Sequence, residues 1–314
     1  MHKVWFFKQR WKKVVSVLTG SIMSPMEIWT IKKLLEWVTD YFEEKGVDAP
    51  RLSAELLLCC VLGLERIQLY TLYDRVVDPP QLAQLRALVK RAGEHEPIAY
   101  LVGRCEFYSL PLTITPDCLI PRPETEHLVE IGISFLRQRQ GGQHVLDLCT
   151  GSGCIAAAIA KNVNDANIVA TDISDAALKV AAENIEKLKL TDKVRLLCGD
   201  LFDPIIEGLD DGRFDLIVSN PPYVSEAEYE ALDKNVKEYE PSHALLAGAD
   251  GLDVYKRIAE KVDDFLKPDG ALIMEIGYAQ GAAIGELLEK THIFKTISIE
   301  KDFANNDRIT IAIK

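Results

Sequence analysis

Basic charge is scarce in this chain. It carries 36 Lys and Arg against 48 Asp and Glu, a formal net charge of −12 over 314 residues. The first 25 residues hold Lys3, Lys8, Arg10, Lys12 and Lys13 and no acid, so the remainder is five charges more negative still. A protein that tracks duplex nucleic acid ordinarily presents a basic face. Direct nucleic-acid binding is therefore disfavoured, and a basic partner protein fits better. The seven cysteines are an odd number with no paired-knuckle spacing, which argues against a disulfide framework. They point instead to a reducing compartment, the cytoplasm, with most thiols acting as small buried hydrophobes. The six histidines (His2, His95, His127, His144, His243 and His292) are scattered and none forms a metal pattern with a cysteine, so no metal is expected. No internal repeat or low-complexity tract is present.

A membrane span is missing too. Residues 1–23 are basic and aromatic (Trp5, Phe6, Phe7, Trp11), then mildly apolar. They are too broken to cross a bilayer and lack a clean apolar signal core or a small-residue cleavage site. This segment reads as a disordered tail, or as the product of an upstream start codon, with Met23 or Met26 as a natural start.

What is present is an ordinary globular composition, 48% apolar and 27% charged, long enough for two domains or one large and one small. Ser24-Pro25-Met26-Glu27 reads as a capping box with proline at the first helical position. Ile28, Ile31, Leu34, Leu35 and Val38 follow at helical spacing, with a stop near Gly46. Further helices are expected from Asp48 to near Gly63, over Glu65–Leu72, and from Pro79-Pro80 to Gly93. Residues 24–103 thus form a small all-helical domain. Alternation between Glu106 and Ile120 predicts a β-hairpin linker over 104–122, and the proline-flanked run Ile120-Pro121-Arg122-Pro123-Glu124-Thr125-Glu126 leads into a helix over Leu128–Leu136. From 123 to 314 strands and helices alternate, as in a doubly wound α/β sheet of Rossmann-like type.

The most informative residues are Asn220-Pro221-Pro222-Tyr223, directly after the buried-strand run Phe214-Asp215-Leu216-Ile217-Val218. A double proline cannot continue a central strand. A polar side chain, two free carbonyls and a ring therefore stand at the strand's carboxyl end, where open α/β sheets bind ligands. A strand-ending turn is the plainer account of the same four residues. The chemical account is a grip on a planar nitrogen. An amide nitrogen shares its lone pair with the carbonyl and is a poor nucleophile. The Asn220 side-chain oxygen and the Pro221 carbonyl could each accept one of its N–H bonds, and Tyr223 could stack on the flat group. Such positioning is worth roughly 7–11 kcal/mol when reacting atoms are held in line.

A second pattern accompanies the first. Val145-Leu146-Asp147-Leu148-Cys149-Thr150-Gly151-Ser152-Gly153-Cys154-Ile155-Ala156 reads as a strand, a glycine turn and a helix start. Ile168 to Asp172 is a further strand ending in an acid that could accept both hydroxyls of a ribose, and Val194 to Asp200 a third. Gly151-x-Gly153-x-x-Ala156 with Asp172 resembles a dinucleotide fingerprint. It equally resembles the first motif of S-adenosylmethionine methyltransferases, with Asp147 as the acid before the glycines. Phe294–Glu300 and Arg308–Ile313 lie too close for a crossover helix and must form an antiparallel hairpin, the methyltransferase pattern. Cys149 stands where that motif usually has glycine. It reads as a small residue lining the loop, not as a nucleophile, because no basic neighbour lowers its pKa.

Together these segments resemble the peptide chain release factor N5-glutamine methyltransferases, the HemK-type enzymes, from about Met26 onward. The resemblance rests on Pro97 to Gly103, Glu106-Phe107, the Pro121-to-Glu126 segment, the glycine loop, Asp172, Asn220 to Tyr223, Glu240-Pro241 with Ala244-Leu245, Gly248-x-Asp250-Gly251-Leu252, and Glu275-Ile276-Gly277. It implies a methyl transfer from S-adenosylmethionine to the glutamine of the Gly-Gly-Gln loop of class 1 release factors, which the helical domain (24–103) would recognise. It implies a catalytic set of Asn220, Pro221 and Tyr223, with Pro222, Phe107 and Arg122 completing the substrate pocket. It implies cofactor contacts from Asp147, Cys149, Thr150, Gly151, Ser152, Gly153, Asp172, Asp200, Leu201 and Asn220, with Asp200 and Leu201 at the adenine. Three rivals remain: a methyltransferase for a ribosomal-protein glutamine, an adenine-N6 nucleic-acid methyltransferase, and a cofactor-binding scaffold without catalysis.

Overall fold

The computed structural model describes residues 28–205 and 213–314. The expected capping box at Ser24–Glu27 lies outside them. The chain divides into two compact units between Glu94 and His95, ahead of the boundary at Gly103 read from the sequence.

In the first unit, helix α1 (Ile31–Lys45) begins after Thr30, whose hydroxyl accepts from the Lys33 N–H at 3.4 Å. Ile28 is exposed and not part of the helix. The α1 stripe Ile31, Leu34, Leu35, Val38 and Phe42 is buried, and Gly46 ends the helix in the left-handed region. Helices α2 (Pro50–Leu62), α3 (Arg66–Thr71) and α4 (Pro79–Gly93) follow. Asp78 caps α4 by accepting from the Gln81 N–H at 2.9 Å. One acid is buried here. Glu55 accepts from Arg66 Nη2 at 2.7 Å, from Arg51 Nε at 3.1 Å and from the Tyr70 hydroxyl. Burial alone would raise its pKa; the hydrogen bonds from Tyr70, Arg66 and Arg51 outweigh that and lower it.

The second unit opens with α5 (Ile98–Val102) and a hairpin of β1 (Arg104–Phe107) and β2 (Leu110–Thr113). The two turn residues Tyr108 and Ser109 both have positive φ, as a two-residue hairpin loop requires. The Glu126 carboxylate accepts from the Tyr108 N–H at 2.8 Å and pins that turn. Then come α6 (Pro123–Arg137), β3 (Gln143–Leu148), α7 (Cys154–Asn162), β4 (Ala166–Asp172), α8 (Asp175–Lys187), β5 (Val194–Cys198) and β6 (Phe214–Ser219). Two short helices, α9 (Glu226–Ala231) and α10 (Lys234–Lys237), precede α11 (Asp253–Phe265), β7 (Leu266–Glu275), α12 (Gly281–Glu289), β8 (Thr296–Lys301) and β9 (Asp307–Ile313).

Seven strands form one sheet in the order β5-β4-β3-β6-β7-β9-β8. The first five run parallel, and β9 is antiparallel to both β7 and β8. Central strands bury both faces, which is why they read as continuous apolar runs. Leu216, Val218, Ala271 and Ile273 pack toward α6 and α7, whereas Ile217, Leu272 and Met274 pack toward Tyr255, Ile258 and Ile284 of α11 and α12. The strand order reverses between β3 and β6, and the carboxyl ends of β3, β4 and β6 meet there. That reversal is where ligands bind in such sheets.

Candidate active site

The glycine loop leaves β3 and turns at once. Cys149, Gly151 and Gly153 all have positive φ, at 58°, 56° and 78°. Cys149 therefore occupies a backbone conformation that favours glycine and costs an L-residue roughly 1–2 kcal/mol. Gly153 is required for a second reason, since a Cβ there would lie 3.1 Å from the Ala181 Cβ of α8. Beneath the loop, fully buried Asp147 accepts from the Thr150 hydroxyl at 2.6 Å and from the Ala156 N–H at 3.1 Å, tying the turn to the start of α7. Its other oxygen is buried without a partner. Burial pushes this carboxyl up to about 7, against hydrogen bonds that pull it down.

A cavity of about 280 Å³ opens above the loop. Of the residues expected at the cofactor, Cys149, Gly151, Asp172, Asp200, Leu201 and Asn220 line it. Asp147, Thr150, Ser152 and Gly153 do not; they shape the turn from below. Asp172 accepts from the Gly151 N–H at 2.8 Å and the Ser174 N–H at 2.9 Å. Each of its oxygens keeps a lone pair for a further donor. Burial raises its pKa, opposed by those two N–H groups and by the nearby His243. Asp200 is paired with Arg257 at 2.6 Å through one oxygen.

Pro222 also lines the cavity, while Pro221 is buried behind it. Tyr223 packs on the apolar core, its phenol pushed up to about 12 by burial and by Glu275, and is therefore neutral. A Cβ on Gly251, which also has positive φ, would collide with the Tyr223 carbonyl; the Gly248-to-Leu252 segment is thereby explained as a close backbone approach to the Asn-Pro-Pro-Tyr turn. Arg122 does not face the cavity. It pairs with buried Glu240, which also accepts from the Ile120 N–H at 3.4 Å, so the proline-flanked segment is stitched to Glu240-Pro241. The expected pocket wall at Phe107 is corrected: it is 1% exposed and sits in the core with Leu128 and Val129. The ring shares the buried face of the hairpin with Leu110 and Leu112.

Several walls come from loops to which the sequence assigned no place in the site, though Ala244 belongs to a segment quoted for the resemblance. Asp117, Cys118 and Leu119 close one side, and His243, Ala244 and Leu246 another. Asn220 stands just past β6. Its Nδ2 donates to the Thr125 hydroxyl at 3.2 Å, and that hydroxyl is 2.6 Å from Glu275 Oε2. Burial raises the Glu275 carboxyl, while Thr125 and Arg308 hold it back down. Among the described residues, no group of His, Cys, Asp or Glu is placed to hold a metal ion, and no helix is long and apolar enough to cross a membrane.

A parallel sheet closed by an antiparallel hairpin, with an acid-tipped glycine loop and an Asn-Pro-Pro-Tyr turn about one cavity, defines a methyltransferase. Comparison with known proteins agrees. The "Methyltransferase small domain" family matches residues 129–238, and the "PrmC N-terminal domain" family matches residues 33–103. A release factor glutamine methyltransferase of Rhodopirellula baltica is 45% identical over 285 residues, spanning 90% of this chain and 95% of that protein. One from Geobacter sulfurreducens is 43% identical over 265 residues, spanning 84% and 90%. The crystal structure of the hMettl16 catalytic domain in complex with MAT2A 3'UTR hairpin 1 matches with a TM-score of 0.52 at 18% identity, over 77% of this chain and 84% of that one, a likeness of fold alone. The chain belongs to the release factor glutamine methyltransferase family. A methyl donor of the S-adenosylmethionine type goes with that membership.

Proposed function

We propose that this protein transfers a methyl group from S-adenosylmethionine to the side-chain amide nitrogen of the glutamine in the Gly-Gly-Gln loop of peptide chain release factors. The observation that carries this reading is Asn220 on the cavity wall with its Nδ2 already engaged by Thr125. The Asn220 oxygen is left to accept an N–H from a substrate amide, and the Pro221 carbonyl supplies the second acceptor.

The cavity's donor set suits the cofactor. Asp172 offers two carboxylate oxygens to ribose hydroxyls, Asp200 has an oxygen left over from Arg257 for an adenine amino group, and Leu201 and Ala177 provide apolar wall. Asp147 braces the loop from beneath through its bonds from Thr150 and Ala156. When bound, S-adenosylmethionine supplies an electrophilic methyl group on a cationic sulfur. The protein's part is to orient the amide nitrogen at that carbon with two carbonyl acceptors, which stabilise the positive charge growing on nitrogen. No general base is needed, because the methylated nitrogen becomes acidic and releases its proton to water. Tyr223, held neutral, packs the turn rather than exchanging protons.

Incubation with purified release factor and cofactor, followed by mass spectrometry of the Gly-Gly-Gln peptide, tests the reading. A gain of one methyl is expected, reduced by about two orders of magnitude in Asn220→Ala, as for a lost positioning group, with cofactor affinity little changed. An unmodified peptide with the wild-type protein refutes it, and methylation of a ribosomal protein or of nucleic-acid adenine instead would transfer the assignment to that substrate.

A further inference from the structure

Two residues that do not line the cavity stand behind Asn220: the threonine of Pro123-Glu124-Thr125-Glu126 and the acid of Glu275-Ile276-Gly277. Strands β6 and β7 are neighbours with Ser219 opposite Met274, so Asn220 and Glu275 stand level just past that pair. Thr125 lies in the first turn of α6 and reaches both. Thr125 and Glu275 are each 1% exposed. Glu275 is itself held: the Tyr255 hydroxyl donates to its backbone carbonyl at 2.8 Å.

With Glu275 ionised and Thr125 donating to it, the polarity of this chain of hydrogen bonds follows from counting protons. A threonine hydroxyl has one hydrogen to give. At 2.6 Å from Glu275 Oε2, an acceptor when ionised, that hydrogen goes to the carboxylate. The Thr125 oxygen then offers only lone pairs to Asn220, so the Asn220 NH2 must face it. The Asn220 oxygen is thereby forced to the other side, toward the cavity. An asparagine amide is nearly symmetric in shape, and without such a partner its two ends can exchange. The reversed amide would present a donor to a substrate NH2, and two donors cannot hydrogen-bond each other.

We propose that Thr125 and Glu275 are positioning residues that lock the Asn220 amide in the one orientation able to accept from a substrate amide. The proposal rests on the reading of Asn220 given above. It also makes the pair specificity-determining. With the oxygen locked outward, the site favours a glutamine amide over a glutamate carboxylate, which can only accept.

The test compares the full-length wild type with Thr125→Val, Thr125→Ser and Glu275→Gln. Valine keeps the shape and loses the hydroxyl; serine restores it. The amide introduced by Glu275→Gln can donate to Thr125 and so permits the reversed chain of hydrogen bonds. The readouts are kcat and KM for release-factor methylation, cofactor affinity by calorimetry, and inhibition by a release factor whose Gly-Gly-Gln glutamine is changed to glutamate. Thr125→Val and Glu275→Gln are expected to lose about 100-fold in kcat, the size expected for a misaligned acceptor, with cofactor affinity within about threefold. Serine should recover most of the rate. The glutamate-bearing competitor should inhibit the Thr125→Val and Glu275→Gln variants about tenfold more strongly, relative to the glutamine form, than it inhibits the wild type, the size of one modest hydrogen bond. Equal kcat in Thr125→Val and wild type overturns the proposal, as does an unchanged glutamine-to-glutamate preference in Glu275→Gln. If Thr125→Val fails to fold, the Glu275→Gln preference alone decides. A wild type inactive on release factor overturns the functional reading instead, so the two failures are distinguishable.

Discussion

Replacing Asp147 with asparagine should change the shape of the stability–pH curve. In the folded protein this carboxyl titrates near 7, because it is fully buried and only one of its oxygens is hydrogen-bonded. In the unfolded chain it titrates near its ordinary 3.8. Between those values the folded state holds a proton that the unfolded state has lost. The group's contribution to stability is therefore complete below about 4, declines as pH rises, and is gone by about 7. Each pH unit in that window removes about 1.4 kcal/mol, so roughly 4 kcal/mol is lost across it. Asparagine does not titrate, and its oxygen can still accept from Thr150 and Ala156. The variant should therefore gain on the wild type steadily from about pH 4 to about pH 7 and run parallel to it above. All four tryptophans lie at or before position 37, so tryptophan fluorescence does not report this unit. Urea titrations at several pH values should be read by pulsed hydrogen exchange on β3 and β4 peptides. A wild-type-minus-variant difference that stays flat between about pH 4.5 and about pH 7 would refute the assignment of a buried, proton-holding Asp147.

Three further outcomes are expected. Asp172→Ala removes a charged acceptor for two ribose hydroxyls, each worth about 1.5–3 kcal/mol, and should weaken cofactor binding by about 100-fold or more in calorimetry; near-normal binding contradicts the ribose assignment. Cys149→Gly relieves the left-handed strain but loosens the unfolded chain by about 0.4–1 kcal/mol. Its urea midpoint should stay close to wild type, whereas Cys149→Val, β-branched at positive φ, should fall clearly below it; the reverse order would exclude a left-handed residue 149. Glu55→Gln breaks charge-assisted bonds from Arg51 and Arg66 and should cost about 2 kcal/mol, here visible in the fluorescence of Trp29 and Trp37; an unchanged midpoint would show that the cluster is energetically idle.

The sheet was legible because its strands are buried on both faces: Val145–Leu148 and Leu216–Val218 have no polar face to blur the pattern. The acids at the strand ends were legible because a carboxylate next to a turn after an apolar run has few other uses. Phe107 was misplaced because sequence shows only that a ring follows a polar strand residue, not that the hairpin folds it inward. Ile28 was read as helical, whereas the described helix begins at Ile31, after Thr30 pairs with Val76 and caps it. The wall at Asp117–Leu119 was not read, and Ala244-Leu245 was quoted for the resemblance without a place at the cavity, since each loop is far in sequence from the strands it faces. Thr125 and Glu275 stood in segments already quoted for the resemblance, but a residue at a helix start and one at a strand end, 150 positions apart, do not reveal in sequence that they meet.

The inserted strand at the far side of the sheet has a consequence for assembly. β8 precedes β9 along the chain but lies outside it, and among the described residues its only ladder is with β9. Synthesis therefore delivers an edge before the interior element on which that edge rests. Until β9 is made, β8 has no strand to pair with, and once made β9 must satisfy both β8 and β7. The edge of β7 that β9 covers is a site where another extended chain could compete during that interval.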